Sequence, residues 1–99
     1  MNITIKKEGG ALFIAVAGRL DTVTSAMLKE RLEAEGYENA DIDFDFGQVE
    51  YISSAGLRLI LLLQRQTDQT GNKLLIRNVN RVVAEVFKVA GFNKTLNIV

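Results

Sequence analysis

The segment DIDFDF, Asp41 to Phe46, alternates strictly between acidic and apolar residues, and this pattern constrains the fold more than any other stretch of the chain. Successive side chains of a β-strand point to opposite faces, so the three apolar residues share one face and the three aspartates share the other. A single apolar face predicts a strand in a sheet whose second face is largely open to water at this point.

The three aspartates are also a candidate metal site, because carboxylates bind Ca²⁺ and Mg²⁺. Asp41, Asp43 and Asp45 would however lie about 7 Å apart along the strand, and no ligand-rich loop accompanies them. The pattern therefore favours a solvated face, and no metal is expected.

In the rest of the chain, apolar residues recur either at every second position, as in a strand, or at the spacing of an α-helix. Two strands joined at Gly9-Gly10 form an N-terminal hairpin, and three helical segments then alternate with strands, of which the last is KTLNIV. The predicted N-caps are Asp21 or Thr22 for the first helix and Asn80 for the third. The glycines predicted to end the three helices are Gly36, Gly71 and Gly91. The order ββαβαβαβ predicts an α/β fold with a mixed, mainly parallel sheet, in which the first strand is antiparallel.

The composition describes an ordinary soluble chain. Its 99 residues fit one domain, with 47% hydrophobic and 24% charged residues. The net charge of zero argues against nucleic-acid binding, which requires a basic excess. The longest aliphatic run, Leu59 to Leu63, is too short to span a bilayer, and the N-terminus lacks the apolar core of a secretory signal. A cytoplasmic protein without membrane insertion is expected.

The chain contains neither cysteine nor histidine. This composition excludes thiolate nucleophiles, Ser-His dyads, phosphohistidine carriers and nearly all zinc and iron sites. A small carboxylate- or serine-dependent enzyme is the remaining catalytic alternative, and it is disfavoured. We expect no catalytic residues and no cofactor.

The loop GQVEYISSAG leads from the third strand into the second helix, and its serine turn YISSAG places two serines at the expected functional edge of the sheet. Either Ser53 or Ser54 could simply cap the helix. A serine at a helix N-terminus could instead accept a phosphoryl group, because the helix dipole tolerates an added dianion.

Three segments together resemble the STAS domain, and more narrowly the single-domain anti-sigma factor antagonists of bacteria. They are GRLD at Gly18 to Asp21, DFGQVEYISSAGLRLIL at Asp45 to Leu61, and NVNRVVAEVFKVAGF at Asn78 to Phe92. The resemblance covers essentially the whole chain, so residues 1–99 are expected to form one STAS domain.

The resemblance implies a function that depends on a phosphorylated serine. In these antagonists, a partner that is both serine kinase and anti-sigma factor phosphorylates a serine of this turn, and a serine phosphatase reverses the mark. The unphosphorylated form binds the partner and frees the sigma factor. The acceptor falls on Ser54, and Ser53 is its rival, because this chain has Ser53 and Ala55 where the best-known antagonists have an aspartate and a serine or threonine.

The second helix adds a candidate partner-binding surface. At about 100° per residue, Leu59 and Leu62 fall toward the side shared with Arg58, away from the leucines predicted to pack on the sheet. They could form a boundary with a neighbouring helix, a partner-binding surface, or a homodimer contact. Asp21 could cap the first helix or contact the partner, and Arg19 could flank a phosphoserine together with Arg58. The predicted partner-binding residues are Asp21, Ser53, Ser54, Gly56, Arg58, Leu59 and Leu62.

The alternative function within the same fold is a STAS regulatory subunit of a larger assembly, such as an ABC-type lipid transporter. In such an assembly the serine turn would contact the ATPase rather than accept phosphate.

Overall fold

The computed structural model describes residues 2–92 and 95–99. The elements in chain order are β1 (Asn2–Glu8), β2 (Ala11–Leu20), α1 (Thr22–Glu35), β3 (Asp41–Asp45), β4 (Val49–Ile52), α2 (Ser54–Thr70), β5 (Leu74–Arg77), α3 (Arg81–Val89) and β6 (Asn97–Ile98). Of the predicted last strand KTLNIV, Lys94 lies outside the described residues.

The sheet has the order β1-β2-β3-β5-β6, with β4 paired to the end of β2. The β1–β2 pair is antiparallel and the other pairs are parallel, which confirms the predicted α/β class and its mainly parallel sheet.

The strand β4 is an addition to the predicted order, because the sequence interpretation treated Val49–Ile52 as part of a loop. Both ends of this segment are buried and its two middle residues are exposed, so it lacks the alternation of a longer strand. The pairing of β2 with β4 shifts register between Gly18 and Arg19, and Gly18 takes a positive φ of 103° there. This irregularity allows the last residues of β2 to pair with β4 beyond the end of β3.

The core lies on one face of the sheet, under the helices. Alternate residues of β2, β3 and β5 are buried there. Phe46 links these strands to α3, because the centroid of its ring lies 4.7 Å from that of Phe44 and 5.9 Å from that of Phe87 on α3. The opposite face carries residues such as Phe13, which is 37% exposed. The one-sided burial predicted from DIDFDF is therefore confirmed.

The three aspartates of β3 are bound by different groups of the chain. Asp41 accepts from the Lys73 amide at 2.9 Å, and Asp43 pairs with two nitrogens of Arg77 at 2.9 and 2.6 Å. Asp45 accepts from the Gly47 amide at 2.8 Å and from the side-chain amide of Asn78 at 3.0 Å. Residues 2–92 and 95–99 contain no cluster of three or more acidic side chains that could hold a metal ion.

The helix ends follow the predicted caps. Asp21 caps α1 and Asn80 caps α3, while Gly36 and Gly71 end α1 and α2 in the left-handed conformation. Within the same described ranges, no helix is both long and apolar enough to cross a membrane.

Candidate functional site

The β2–α1 and β4–α2 junctions lie side by side, because Leu20 and Ile52 are partners at the ends of two parallel strands. The carbonyl oxygen of Leu20 accepts from the Ser53 amide at 2.9 Å and from the Ser53 hydroxyl at 3.3 Å. Asp21, the next residue after Leu20, therefore lies at the same edge of the sheet as the serine turn.

The two serines of the turn have different environments. Ser53 is the N-cap of α2, and its hydroxyl accepts from the Gly56 amide at 3.4 Å while donating to Leu20. Ser54 is the first residue of the helix and is exposed, and its hydroxyl has no hydrogen bond to any residue that the structure describes. Ser53 thus fills the structural role of the turn and leaves the Ser54 hydroxyl free.

Gly56 allows the helix to approach both strands closely. A Cβ atom at this position would lie 2.7 Å from the Leu20 carbonyl oxygen and 2.7 Å from Cγ1 of Ile52. The glycine is therefore required by packing, and it fixes the start of α2, including Ser54, against the sheet edge.

Asp21 uses its carboxylate to cap α1. It accepts from the Thr24 amide and hydroxyl, each at 3.1 Å, and the Thr24 hydroxyl in turn accepts from the Asp21 amide at 2.8 Å. These hydrogen bonds from Thr24 hold the pKa of Asp21 below its usual 3.8. The capping role of Asp21 is confirmed, and a contact with a partner remains a prediction.

The two arginines predicted near the serine turn differ in position. Arg58 is exposed and lies four residues after Ser54, which places it about 40° from Ser54 around α2. Arg19 is exposed on β2, and its guanidinium lies 4.5 Å from the centre of the Tyr51 ring. Ser54 and Arg58 therefore share the outer face of α2, whereas Arg19 is engaged with Tyr51.

The structure shows how Leu59 and Leu62 lie relative to α1. Leu59 is only 5% exposed, because α1 packs along this side of α2. Leu62 is half-buried at the same boundary. Both leucines therefore lie at a helix–helix boundary, which was one of the alternatives, and the partner-binding role of Leu59, Leu62 and Arg58 stays a prediction.

A groove of about 250 Å³ separates the outer edges of α1 and α2 beside the serine turn. It is lined by Thr22, Ser25, Ala26, Lys29, Ala55, Arg58, Leu59 and Leu62. The sequence identified Arg58, Leu59 and Leu62 of α2 but neither Ala55 nor the residues of α1, because the lateral contact of the two helices cannot be read from either helix alone.

A second groove, of about 740 Å³, lies on the other side of α2 along α3, and the sequence interpretation missed it. Val82, 57% exposed, and the neighbouring Val86 and Val89 line it together with Leu57. Valines at spacings of four and three residues on α3 form a second apolar stripe next to the buried pair Val83 and Phe87.

Comparison with known proteins assigns the family. The family described as "Mlab, STAS domain" matches residues 3–99, and the chain belongs to the STAS domain family.

Named relatives extend this assignment. BtrV of Bordetella bronchiseptica, which carries the name of an anti-sigma factor antagonist, is 32% identical over 93 residues, covering 93% of this chain and 80% of BtrV. The anti-sigma-B factor antagonist of Bacillus subtilis is 21% identical over 98 residues, covering 99% of this chain and 90% of the relative.

A solved structure of the anti-sigma factor antagonist SpoIIAA shares the fold. Its unphosphorylated form superposes with a TM-score of 0.82 at 17% identity, covering 99% of this chain and 88% of SpoIIAA. A structure of phosphorylated SpoIIAA superposes with a TM-score of 0.76.

Proposed function

We propose that this protein is an anti-sigma factor antagonist controlled by phosphorylation of Ser54. In its unphosphorylated form it binds an anti-sigma factor that is also a serine kinase, and this binding releases a sigma factor. A serine phosphatase restores the binding form. On this proposal residues 1–99 act as one STAS domain in the cytoplasm, as an adaptor and not as an enzyme.

The observation that carries the proposal is the free, exposed hydroxyl of Ser54 at the first residue of α2. The names of the relatives support the antagonist class, and SpoIIAA, which has a similar fold, has been solved in a phosphorylated form. Ser53 is the weaker acceptor, because its hydroxyl is already bonded to Leu20 and Gly56.

The chemistry requires little from this chain. The Ser54 oxygen attacks the γ-phosphorus of ATP, the bond from that phosphorus to the bridging oxygen breaks, and ADP leaves. The hydroxyl proton passes to a base supplied by the kinase.

The product is a phosphoserine whose charge of about −2 lies at the positive end of the α2 dipole. Arg58, one turn further along α2, can pair with it. The same charge would disrupt a docked partner surface through desolvation and repulsion, and this is the switch.

The test is to incubate the protein with ATP and the histidine-kinase-like anti-sigma factors of the same organism, and to map the modified peptide by mass spectrometry. We expect phosphate on Ser54, none in the Ser54→Ala variant, and normal modification of Ser54 in the Ser53→Ala variant. Modification of Ser53 alone would refute the choice of acceptor. Capture of a transporter ATPase without phosphorylation would instead support the STAS subunit of a larger assembly.

A further inference from the structure

The groove between α1 and α2 combines an apolar floor with a basic rim. Leu59 and Leu62 lie along its floor, and the two charged side chains that line it, Lys29 from α1 and Arg58 from α2, are both cations. Its volume of about 250 Å³ is below the roughly 300–1,000 Å³ of pockets that enclose drug-sized ligands. A protruding side chain of a protein partner fits such a groove better than a whole small molecule does.

Ser25 supplies an independent sign that something binds in this groove. It lines the groove, is 5% exposed, and its hydroxyl has no hydrogen-bond partner among the residues that the structure describes. Of the other buried side-chain oxygens in the described ranges, that of Thr67 donates to carbonyl oxygens of its own helix at 3.1 and 2.9 Å, whereas Oε1 of Gln64 also lacks a partner. A buried hydroxyl without a partner costs free energy, so its presence at a groove is explained if a bound partner supplies an acceptor.

We propose that this groove is the docking site for an acidic amphipathic segment of the anti-sigma factor, and this inference rests on the proposed function. An apolar side chain of the segment packs on Leu59 and Leu62, and a neighbouring carboxylate lies between Lys29 and Arg58. The Ser25 hydroxyl, which is buried in the free protein, turns toward the groove when the segment binds and donates to one of its oxygens. The groove begins at Ala55, the residue after Ser54, so a phosphate on Ser54 competes with the partner's carboxylate for Arg58.

A second copy of this chain fits the groove poorly. In a two-fold dimer the same patch meets itself, which would bring Lys29 and Arg58 of one copy against the same cations of the other. Like charges facing each other across an interface are strongly unfavourable. The electrostatics of this face therefore select an acidic partner over a homodimer.

The test compares two charge reversals on the same helix. Lys29 lines the groove, whereas Arg31 lies on another side of α1, and each is followed four residues later by a glutamate, Glu33 or Glu35. Lys29→Glu and Arg31→Glu therefore have the same effect on charge pairing within α1, because each replaces an attractive pair with a glutamate by a repulsive one. We expect Lys29→Glu to weaken binding of the anti-sigma factor about tenfold or more, and Arg31→Glu to change it by less than about twofold.

Two further measurements complete the test. Ser25→Ala should leave the free protein at least as stable as the wild type while weakening the complex several-fold, which a purely structural serine would not do. The affinity of the wild type should fall as salt is added, more steeply than that of Lys29→Glu.

The outcomes separate the two proposals. If the wild type binds none of the anti-sigma factors, the proposed function fails. If it binds and both Lys29→Glu and Ser25→Ala retain the affinity of Arg31→Glu, the groove is not the docking site, while the proposed function stands.

Discussion

Replacing Gly56 with alanine should destabilise the protein, although alanine is the better helix former. The new Cβ would lie 2.7 Å from Cγ1 of Ile52 and 2.7 Å from the carbonyl oxygen of Leu20, whereas carbon atoms in contact are about 3.5–4.0 Å apart. Neither neighbour can move easily, because Ile52 is fully buried and the Leu20 carbonyl accepts two hydrogen bonds from Ser53.

The magnitude follows from two opposing effects. Overpacking of this kind costs about 1–3 kcal/mol, and the clash with backbone favours the upper part of that range. The gain in helix propensity is at most about 1 kcal/mol. We expect a net loss of about 1–2 kcal/mol in the free energy of unfolding, with the melting temperature falling by about 4–8 °C per kcal/mol.

The assay is urea denaturation, with Gly10→Ala as the matched control. Gly10 does not require a positive φ, and a Cβ there meets nothing within 4 Å, so its substitution should change the free energy of unfolding by no more than about 0.5 kcal/mol. The midpoint for Gly56→Ala should fall while the slope stays constant. If Gly56→Ala is as stable as Gly10→Ala, the close approach of α2 to the strands does not exist as described.

Two other predictions concern the caps of the same site. Ser53→Ala removes the N-cap of α2 and should lower the free energy of unfolding by about 1 kcal/mol in urea denaturation. The control is Ser54→Ala at the exposed neighbouring residue, which should change this free energy little. Equal effects of the two substitutions would contradict the assignment of Ser53 as the cap. The pKa of Asp21 is below 3.8 in the folded protein. The ionised carboxylate therefore adds to the free energy of unfolding above the pKa that Asp21 has in the unfolded chain, and this stabilisation is lost as the pH falls through its pKa in the folded protein. In thermal melts at different pH values, the Asp21→Asn variant should therefore lose less stability than the wild type below about pH 4. If both proteins lose the same stability at acid pH, the Thr24 hydrogen bonds do not stabilise the carboxylate.

Much of the fold was predictable because its signals are local. The alternation of DIDFDF fixed a one-sided strand, and the caps at Asp21 and Asn80 marked helix starts that the structure reproduces. β4 was missed because its four residues do not alternate, and its pairing depends on a register shift in the distant strand β2.

The sequence leaves alternatives open where a side chain's environment depends on a second element. For Leu59 it left open a helix–helix boundary and a partner-binding surface, and the structure buries this residue because α1 packs beside it. On α3, Val82 is 57% exposed whereas its neighbour Val83 is fully buried. The orientation of each helix on the sheet decides between neighbouring apolar positions, and that orientation is a tertiary property.

The serine turn combines both situations. The sequence located two serines at a helix start but could not assign them to the cap and the first helical residue by spacing alone. The assignment follows from the Leu20 carbonyl, 33 residues from Ser53 along the chain, which engages one hydroxyl and leaves the other free.

The most direct test of the central claim is to measure the release of a sigma factor from its complex with the anti-sigma factor as this protein is added. The unphosphorylated protein should displace the sigma factor in proportion to its concentration, and the same protein phosphorylated on Ser54 should displace almost none. Equal displacement by both forms would contradict the phosphorylation switch, and displacement by neither form would contradict the antagonist function itself.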